Sequence, residues 1–287
     1  MHPVLKVLKV GLLALLAAGP AKAADTITLG QVSLSFYAVT GGVVQHVLEE
    51  EGYEVEVIPG SHAEIYPKVG TGEVDILAAS WLPSAHAGLY EKVQGSTFKL
   101  AKLYDDARLY WTVPSYVPAD QISSVADLVK PEVKAKLPAA IVSLPESTGL
   151  TTVGRKVMSA YGLDAAGYEL KAAMPAEWIG TFKQAYEARE WIVFPLWQPQ
   201  WINAVYDLRV LNEPKGIYGV DSAFLIAHQG LKAKLSERAL KHLGNIRLSV
   251  AAITEMDRLM NVEKLSALDA AERWIADNPD IVASWKP

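Results

Sequence analysis

Two Trp-x-Pro triplets, Trp81-Leu82-Pro83 and Trp197-Gln198-Pro199, each close an apolar run, VDILAAS before the first and WIVFPL before the second. Indole faces carry negative quadrupole potential. A cluster of them attracts a cation without a formal counter-charge, at ~0.5–2 kcal/mol per face once water is excluded. A quaternary ammonium suits such a cluster best, because it has no N–H to satisfy and is cheap to dehydrate. The offset of 116 positions between the triplets also places His62 opposite Trp178, each at the start of the helix before its triplet. Trp81, Trp197 and Trp178 are therefore candidate ligand contacts, with His62 beside them. Core packing is the competing account for any single indole. Trp191 and Trp201 read as structural, and Trp274 and Trp285 as anchors of the C-terminal helices.

A zwitterionic ligand would also need an anion site. Ser147, Thr148 and Gly149 immediately precede a helix, where unpaired N–H groups and the dipole favour negative charge. The segment Ser33-Leu34-Ser35-Phe36-Tyr37, after the first strand, leads into a helix in the same way, so Phe36 and Tyr37 join the candidates. Ordinary N-capping explains either segment equally well, and the residues alone do not choose between them.

Other chemistry is missing. The chain has no G-x-S-x-G, H-E-x-x-H or Walker loop. Its six histidines have no i, i+4 pair, and His86 is the one that follows a Trp-x-Pro triplet closely. No catalytic residue, metal site or cofactor is assigned. Glu49-Glu50-Glu51 and Asp105-Asp106 read as solvated charge clusters.

Strands and helices must position these residues. Thr26 to Val32, Tyr53 to Ile58 and Val74 to Ala79 read as strands, with helices over Ala38 to Glu51 and His62 to Gly70 between them. The middle of the chain repeats the pattern: strands Ala139 to Leu144, Tyr168 to Ala172 and Trp191 to Leu196, with helices Gly149 to Tyr161 and Ala176 to Ala188. A βαβαβ order implies a parallel sheet that docks ligands at its carboxyl ends. Both triplets fall at such ends, on opposite lobes. Tyr110 to Pro118 and Tyr206 to Tyr218 are the expected crossings, which make a hinge. The remainder reads as helical, over Leu231 to Leu243, Ser249 to Met260 and Ser266 to Asp277. The expected organisation is a discontinuous first lobe, residues 24–112 and 213–287, around a second lobe, residues 113–212.

Residues 1–23 have a basic start, the apolar run VGLLALLAA and Ala21-Lys22-Ala23, the layout of a secretory signal peptide. The apolar run is about half of the roughly 20 residues a membrane span requires. Removing 23 of 287 residues, with Lys6, Lys9 and Lys22 and no acid, leaves 264 residues and moves the net charge from −5 to −8. An acidic chain is a poor partner for nucleic acid. The absence of cysteine excludes disulfides, thiolate chemistry and an N-terminal lipid-bearing Cys. The expected location is the bacterial periplasm, without lipidation.

Several stretches then carry a resemblance: "ITLGQVSLSFYAV" with "LEEEGYEVEV", "GEVDILAASWLPSAH", "VPSYV" with "ISSVADL", "WQPQWINAVYDLRVLNEPKGIYG" and "AERWIADNPDIVASW". Over essentially the whole mature chain the sequence resembles the glycine betaine/proline betaine substrate-binding proteins of ABC importers. The resemblance implies a two-lobed α/β fold of the type II periplasmic binding protein class and a Trp cage for a trimethylammonium-type head. It also implies delivery of the solute to a membrane permease. Trp81 and Trp197 fit the cage positions. Members of the family often have His where Gln200 stands, close to the ligand carboxylate; Gln can donate a hydrogen bond but cannot become cationic. The expected function is therefore capture of a small quaternary or methylated ammonium compound by a non-catalytic, monomeric binding protein. Another small amine or a sulfonate, and a periplasmic hydrolase using Ser147 or His62, are the alternatives. A sensor subunit presenting the closed form to a membrane receptor is a third.

Overall fold

A computed structural model describes residues 26–287. The signal-peptide segment, residues 1–23, lies outside the described residues.

The first strand, β1 (Thr26–Val32), buries Ile27, Leu29, Gly30 and Val32 and pairs in parallel with β2 (Glu54–Gly60) and β3 (Ile76–Leu82). Between β1 and β2 runs the helix Ser35–Glu50, which buries most of its length. Its Gly42 lets another helix approach: a Cβ there would sit 2.6 Å from the Ala267 carbonyl oxygen, at the start of the helix Ala267–Asp277. The helix His62–Thr71 begins with a capping box, in which Ser61 and Glu64 satisfy each other's backbone N–H groups, and stops at Gly72 in the left-handed conformation (φ 82°).

The expected parallel sheet is only part of the result. Strands β4 (Thr97–Pro114) and β9 (Val220–His228) join it antiparallel, and the order becomes β2-β1-β3-β9-β4-β7, with β7 (Phe194–Gln198) at the far edge. The 18 residues of β4 run from one lobe into the other. They pair with β9 in the first lobe, and with β7 and the short β8 (Leu208–Val210) in the second. The first crossing is thus a continuous strand, not a loop. Its register shifts between Lys99 and Ala107, and its charged residues Lys99, Lys102, Asp105 and Asp106, erase the period-two pattern from which a strand is read. The second crossing contains β8.

The second lobe holds β5 (Ala140–Ser143) and β6 (Glu169–Ala172), parallel to each other, and the helices Gly149–Ala160 and Pro175–Glu187. One apolar core, including Val125, Leu128, Ile141, Val157 and Leu170, lies in this lobe and takes in Trp111 from the crossing strand β4. Another covers the first lobe and continues without a break into Trp178, Phe182, Phe194 and Trp197, so the lobes are closed on each other. The C-terminal helices Glu237–Asn245, Val250–Val262, Ala267–Asp277 and Pro279–Ala283 follow β9.

Both triplets end their strands as the pattern predicts, but three and two residues later: β3 continues through Trp81 to Leu82 and β7 through Trp197 to Gln198. Trp81 sits opposite Ala223 of β9, and Trp197 opposite Leu109 of β4.

Candidate functional site

The carboxyl ends of β1, β3 and β7 converge on one group of rings. Phe36, in the first turn of the helix after β1, lies 5.6 Å from Trp81 and 5.7 Å from Trp197, centroid to centroid. Trp178, in the first turn of Pro175–Glu187, stacks on Trp197 at 5.2 Å and 20°. Behind it the stack continues to Phe194 at 4.6 Å and Phe182 at 4.2 Å. On the other side Tyr37 lies 5.8 Å from Trp81 and 4.9 Å from His62. Six of the sequence-derived candidates, Phe36, Tyr37, His62, Trp81, Trp178 and Trp197, thus form one cluster that spans the lobes. Phe36 touches both Trp81 and Trp197 and stands as the ring that links them.

The edge of this cluster opens into a cleft of about 260 Å³, lined by Ser33, Leu34, Ser35, Leu144, Trp178, Trp197, Gln200, Trp201 and Asn261 among others. Among the described residues no charged side chain lines it. Trp197 and Trp178 form its wall, whereas Trp81 stands behind Phe36 and does not border it. Trp201, which reads as structural from the sequence, does border it; it precedes the helical turn Ile202–Val205 as its N-cap residue. Gln200 is buried and lines the cleft; its Oε1 accepts from the Ile202 N–H at 3.2 Å, which leaves its amide N–H groups as the donors of this side chain.

Residues from two other strands and from the turn itself hold Trp81 in place. The Trp81 indole N–H donates to the Tyr104 hydroxyl at 2.9 Å, and its backbone N–H donates to His86 Nδ1 at 2.8 Å. Buried Asp221, on β9, accepts from the Ser84 and Ala85 N–H groups at 2.6 and 3.0 Å. The His86 ring lies 3.8 Å from that of His62, whose Nε2 donates to the Ala79 carbonyl at 3.1 Å. Burial pushes the His62 imidazole down to about 4 and holds His86 well below the ordinary range, with His62 beside it adding to the effect. Both are neutral at pH 7. His86 accepts at Nδ1 and so carries its proton on Nε2. Of these residues His62 and His86 carry a sign in the sequence, His86 by its place five residues after Trp81. Tyr104 and Asp221 come from strands that were not expected.

Ser147, Thr148 and Gly149 are not among the residues that line this cleft. Thr148 caps its helix: Oγ1 accepts from the Thr151 N–H at 3.4 Å and donates to the Pro145 carbonyl at 2.8 Å. The Cβ position of Gly149 lies 3.8 Å from Leu109 and 3.9 Å from Ala85, so this helix start faces the turn that follows Trp81. Ser147 is exposed. Among the described residues no hydrogen bond joins it to His62, and no group of three or more His, Cys, Asp or Glu side chains could hold a metal.

Residues 25–277 match the family model for the substrate-binding domain of ABC-type glycine betaine transport systems, OpuAC. The chain belongs to this family. It is a family of transport binding domains, not of enzymes. A stretch of 146 residues is 27% identical to the glycine betaine/carnitine transport binding protein GbuC of Listeria monocytogenes, covering 50% of this chain and 48% of that protein. The chain therefore spans about half the length of the curated relative it matches. The structure of a glycine betaine/L-proline-binding protein (ProX) from Borrelia burgdorferi superposes with a TM-score of 0.79 at 25% identity, over 92% of this chain and 97% of that one. Lactococcal OpuAC, closed on glycine betaine, gives a TM-score of 0.79 at 23% identity, over 92% and 100%. A choline-binding protein in complex with choline gives 0.77 at 18%, over 91% of each chain. The fold is that of these two-lobed, type II binding proteins. Among the described residues no helix is long and apolar enough to cross a membrane.

Proposed function

We propose that this chain captures a small quaternary or methylated ammonium compound between its lobes and delivers it to the permease of an ABC importer. The single observation that carries the reading is the cluster of aromatic rings contributed by both lobes, whose second-lobe members Trp178 and Trp197 border a cleft lined, among the described residues, by no charged side chain. Such a cleft offers ring faces to a cation and no ammonium or guanidinium to repel it. In this reading Trp197 and Trp178 contact the head group directly. Trp81, Phe36 and Tyr37 form the first lobe's side of the cage, and His62 with His86 backs it. The Gln200 amide, and the helix start at Ser147, Thr148 and Gly149, serve an acidic or hydroxyl group on the solute. Glycine betaine and choline, the ligands of the structural relatives, are the first compounds to test.

Export fits the same reading. Residues 1–23 act as a signal peptide, and the mature protein works in the periplasm. Delivery to a permease there is a binding event between proteins and requires no chemistry from this chain.

A thermal-shift screen followed by titration calorimetry tests the proposal. Saturation at 100 times the dissociation constant raises stability by roughly 2.7 kcal/mol. A rise in melting temperature with betaine, choline or carnitine supports it. No shift with any methylated ammonium compound, and a shift with a sulfonate or a primary amine, contradicts it.

A further inference from the structure

Asp257 is fully buried in the helix Val250–Val262, and its carboxylate is met by neutral groups alone. Oδ2 accepts from the backbone N–H of Trp201 at 2.7 Å, and Oδ1 accepts from the Asn261 amide at 2.8 Å, with the Ser35 hydroxyl beside them. Among the described residues no lysine, arginine or histidine pairs with it. The three residues that meet it, Ser35, Trp201 and Asn261, all line the 260 Å³ cleft. The carboxylate therefore lies one layer behind the wall.

A buried negative charge without a cation is costly, and attraction across low-dielectric surroundings is strong. The layer in front of Asp257 passes that polarity on. Asn261 directs its amide N–H groups at the Asp257 carboxylate and backbone carbonyl, which leaves its own carbonyl as an acceptor. Ser35, turned to the carboxylate, likewise leaves lone pairs. This wall of the cleft thus presents acceptors backed by a full negative charge. The opposite polarity is supplied by neutral donors alone, the Gln200 amide and the backbone N–H groups at the start of the helix Ser35–Glu50.

We propose that Asp257 sets solute charge preference: it makes the cleft select quaternary ammonium compounds of net charge +1, such as an amino alcohol, over zwitterions with the same head group. The proposal rests on the reading of this cleft as the solute site. A cation gains the whole attraction of the carboxylate, whereas a zwitterion brings a second carboxylate whose repulsion offsets that gain. Asp257 does not touch the solute in this account; it acts through the residues in front of it. The burial that pushes its carboxyl up to about 6 leaves it ionised at neutral pH.

Titration calorimetry with choline and glycine betaine at pH 7.5, on the wild-type protein and on Asp257→Asn, tests this. The wild type is expected to bind choline at least about tenfold more tightly. Asp257→Asn should lose most of that ratio by weakening choline, with betaine changed less than about threefold. Equal affinities or a preference for betaine in the wild type, or a variant that weakens both ligands alike, overturns the proposal. The wild-type ratio decides the matter even where the variant does not fold. Failure of the wild type to bind either compound, or any methylated ammonium, is the separate result that removes the solute-site reading and this proposal with it.

Discussion

The indole of Trp178 lies on the indole of Trp197, with centroids 5.2 Å apart and planes 20° from parallel. Each comes from a different element of the second lobe, and together they extend the Phe182–Phe194 stack to the edge of the cleft. Phe36 carries the contact onward to Trp81 in the first lobe. Lobe closure is thereby coupled to ring packing, and a head group lodged against Trp197 meets a surface that is already supported from behind.

Trp197→Ala is expected to weaken quaternary ammonium binding by about 1–3 kcal/mol, the loss typical of a buried anchor. Trp197→Phe should lose less, because a ring face remains. The Trp197 Nε1–H is buried without a partner, and such a group costs about 1–3 kcal/mol when desolvated. The Phe variant should therefore melt no lower than the alanine variant and lose less affinity, as read by calorimetry and thermal denaturation.

The hydrogen bond from Trp81 to Tyr104 is buried and made by side chains from two strands. Trp81→Phe and Tyr104→Phe should each cost about 1 kcal/mol of stability from the lost bond. The double variant should cost less than the sum, since either change removes the same bond. Urea denaturation of the four proteins measures this; strict additivity contradicts a Trp81–Tyr104 coupling.

Asp221 fastens the turn after Trp81 by two charge-assisted bonds. Asp221→Ala leaves two backbone N–H groups without that acceptor, and a loss of about 1.5–3 kcal/mol in unfolding free energy is expected. Solute affinity should fall as well, because the turn holds Trp81 against Phe36. Unchanged affinity in a destabilised but folded Asp221→Ala protein would show that the position of this turn does not matter to binding.

The pH dependence has a definite sign. His62 has a folded pKa of about 4, below the ordinary histidine value of roughly 6.5, and His86 is shifted the same way. Between those limits the unfolded chain takes up protons that the folded chain refuses, so these residues lower stability as pH falls from 6.5 toward 4. Asp257 acts oppositely: its folded carboxyl, at about 6, takes up a proton before the unfolded one does, which adds stability as pH falls from about 6 toward 4. Melting temperatures measured from pH 7 to 4.5 should fall less for His62→Gln than for the wild type, and more for Asp257→Asn. Parallel curves would contradict both assignments.

Much of this arrangement is legible in the residues, for physical reasons. The pattern TITLGQV and the apolar run before Trp81 locate β1 and β3, and Ser61 with Glu64 marks a helix start three residues apart. Trp81, Trp178 and Trp197 are readable because the carboxyl end of a strand and the start of a helix are fixed by local pattern. Asp221, Tyr104 and Asp257 are not readable in the same way. Their partners lie 137, 23 and 56 positions away along the chain, on strands or helices whose register only tertiary packing decides. The placement of Phe36 between Trp81 and Trp197 belongs to the same class, because it depends on how the lobes meet.

The claim on which the account turns is that ring faces in the cleft recognise positive charge on a methylated head group. Calorimetry with choline and its uncharged tert-butyl isostere, equal in shape and lacking only the charge, tests it most directly. The account predicts that the cation binds at least about tenfold more tightly, a difference of ~1.4 kcal/mol or more; equal affinities for the two compounds would contradict it.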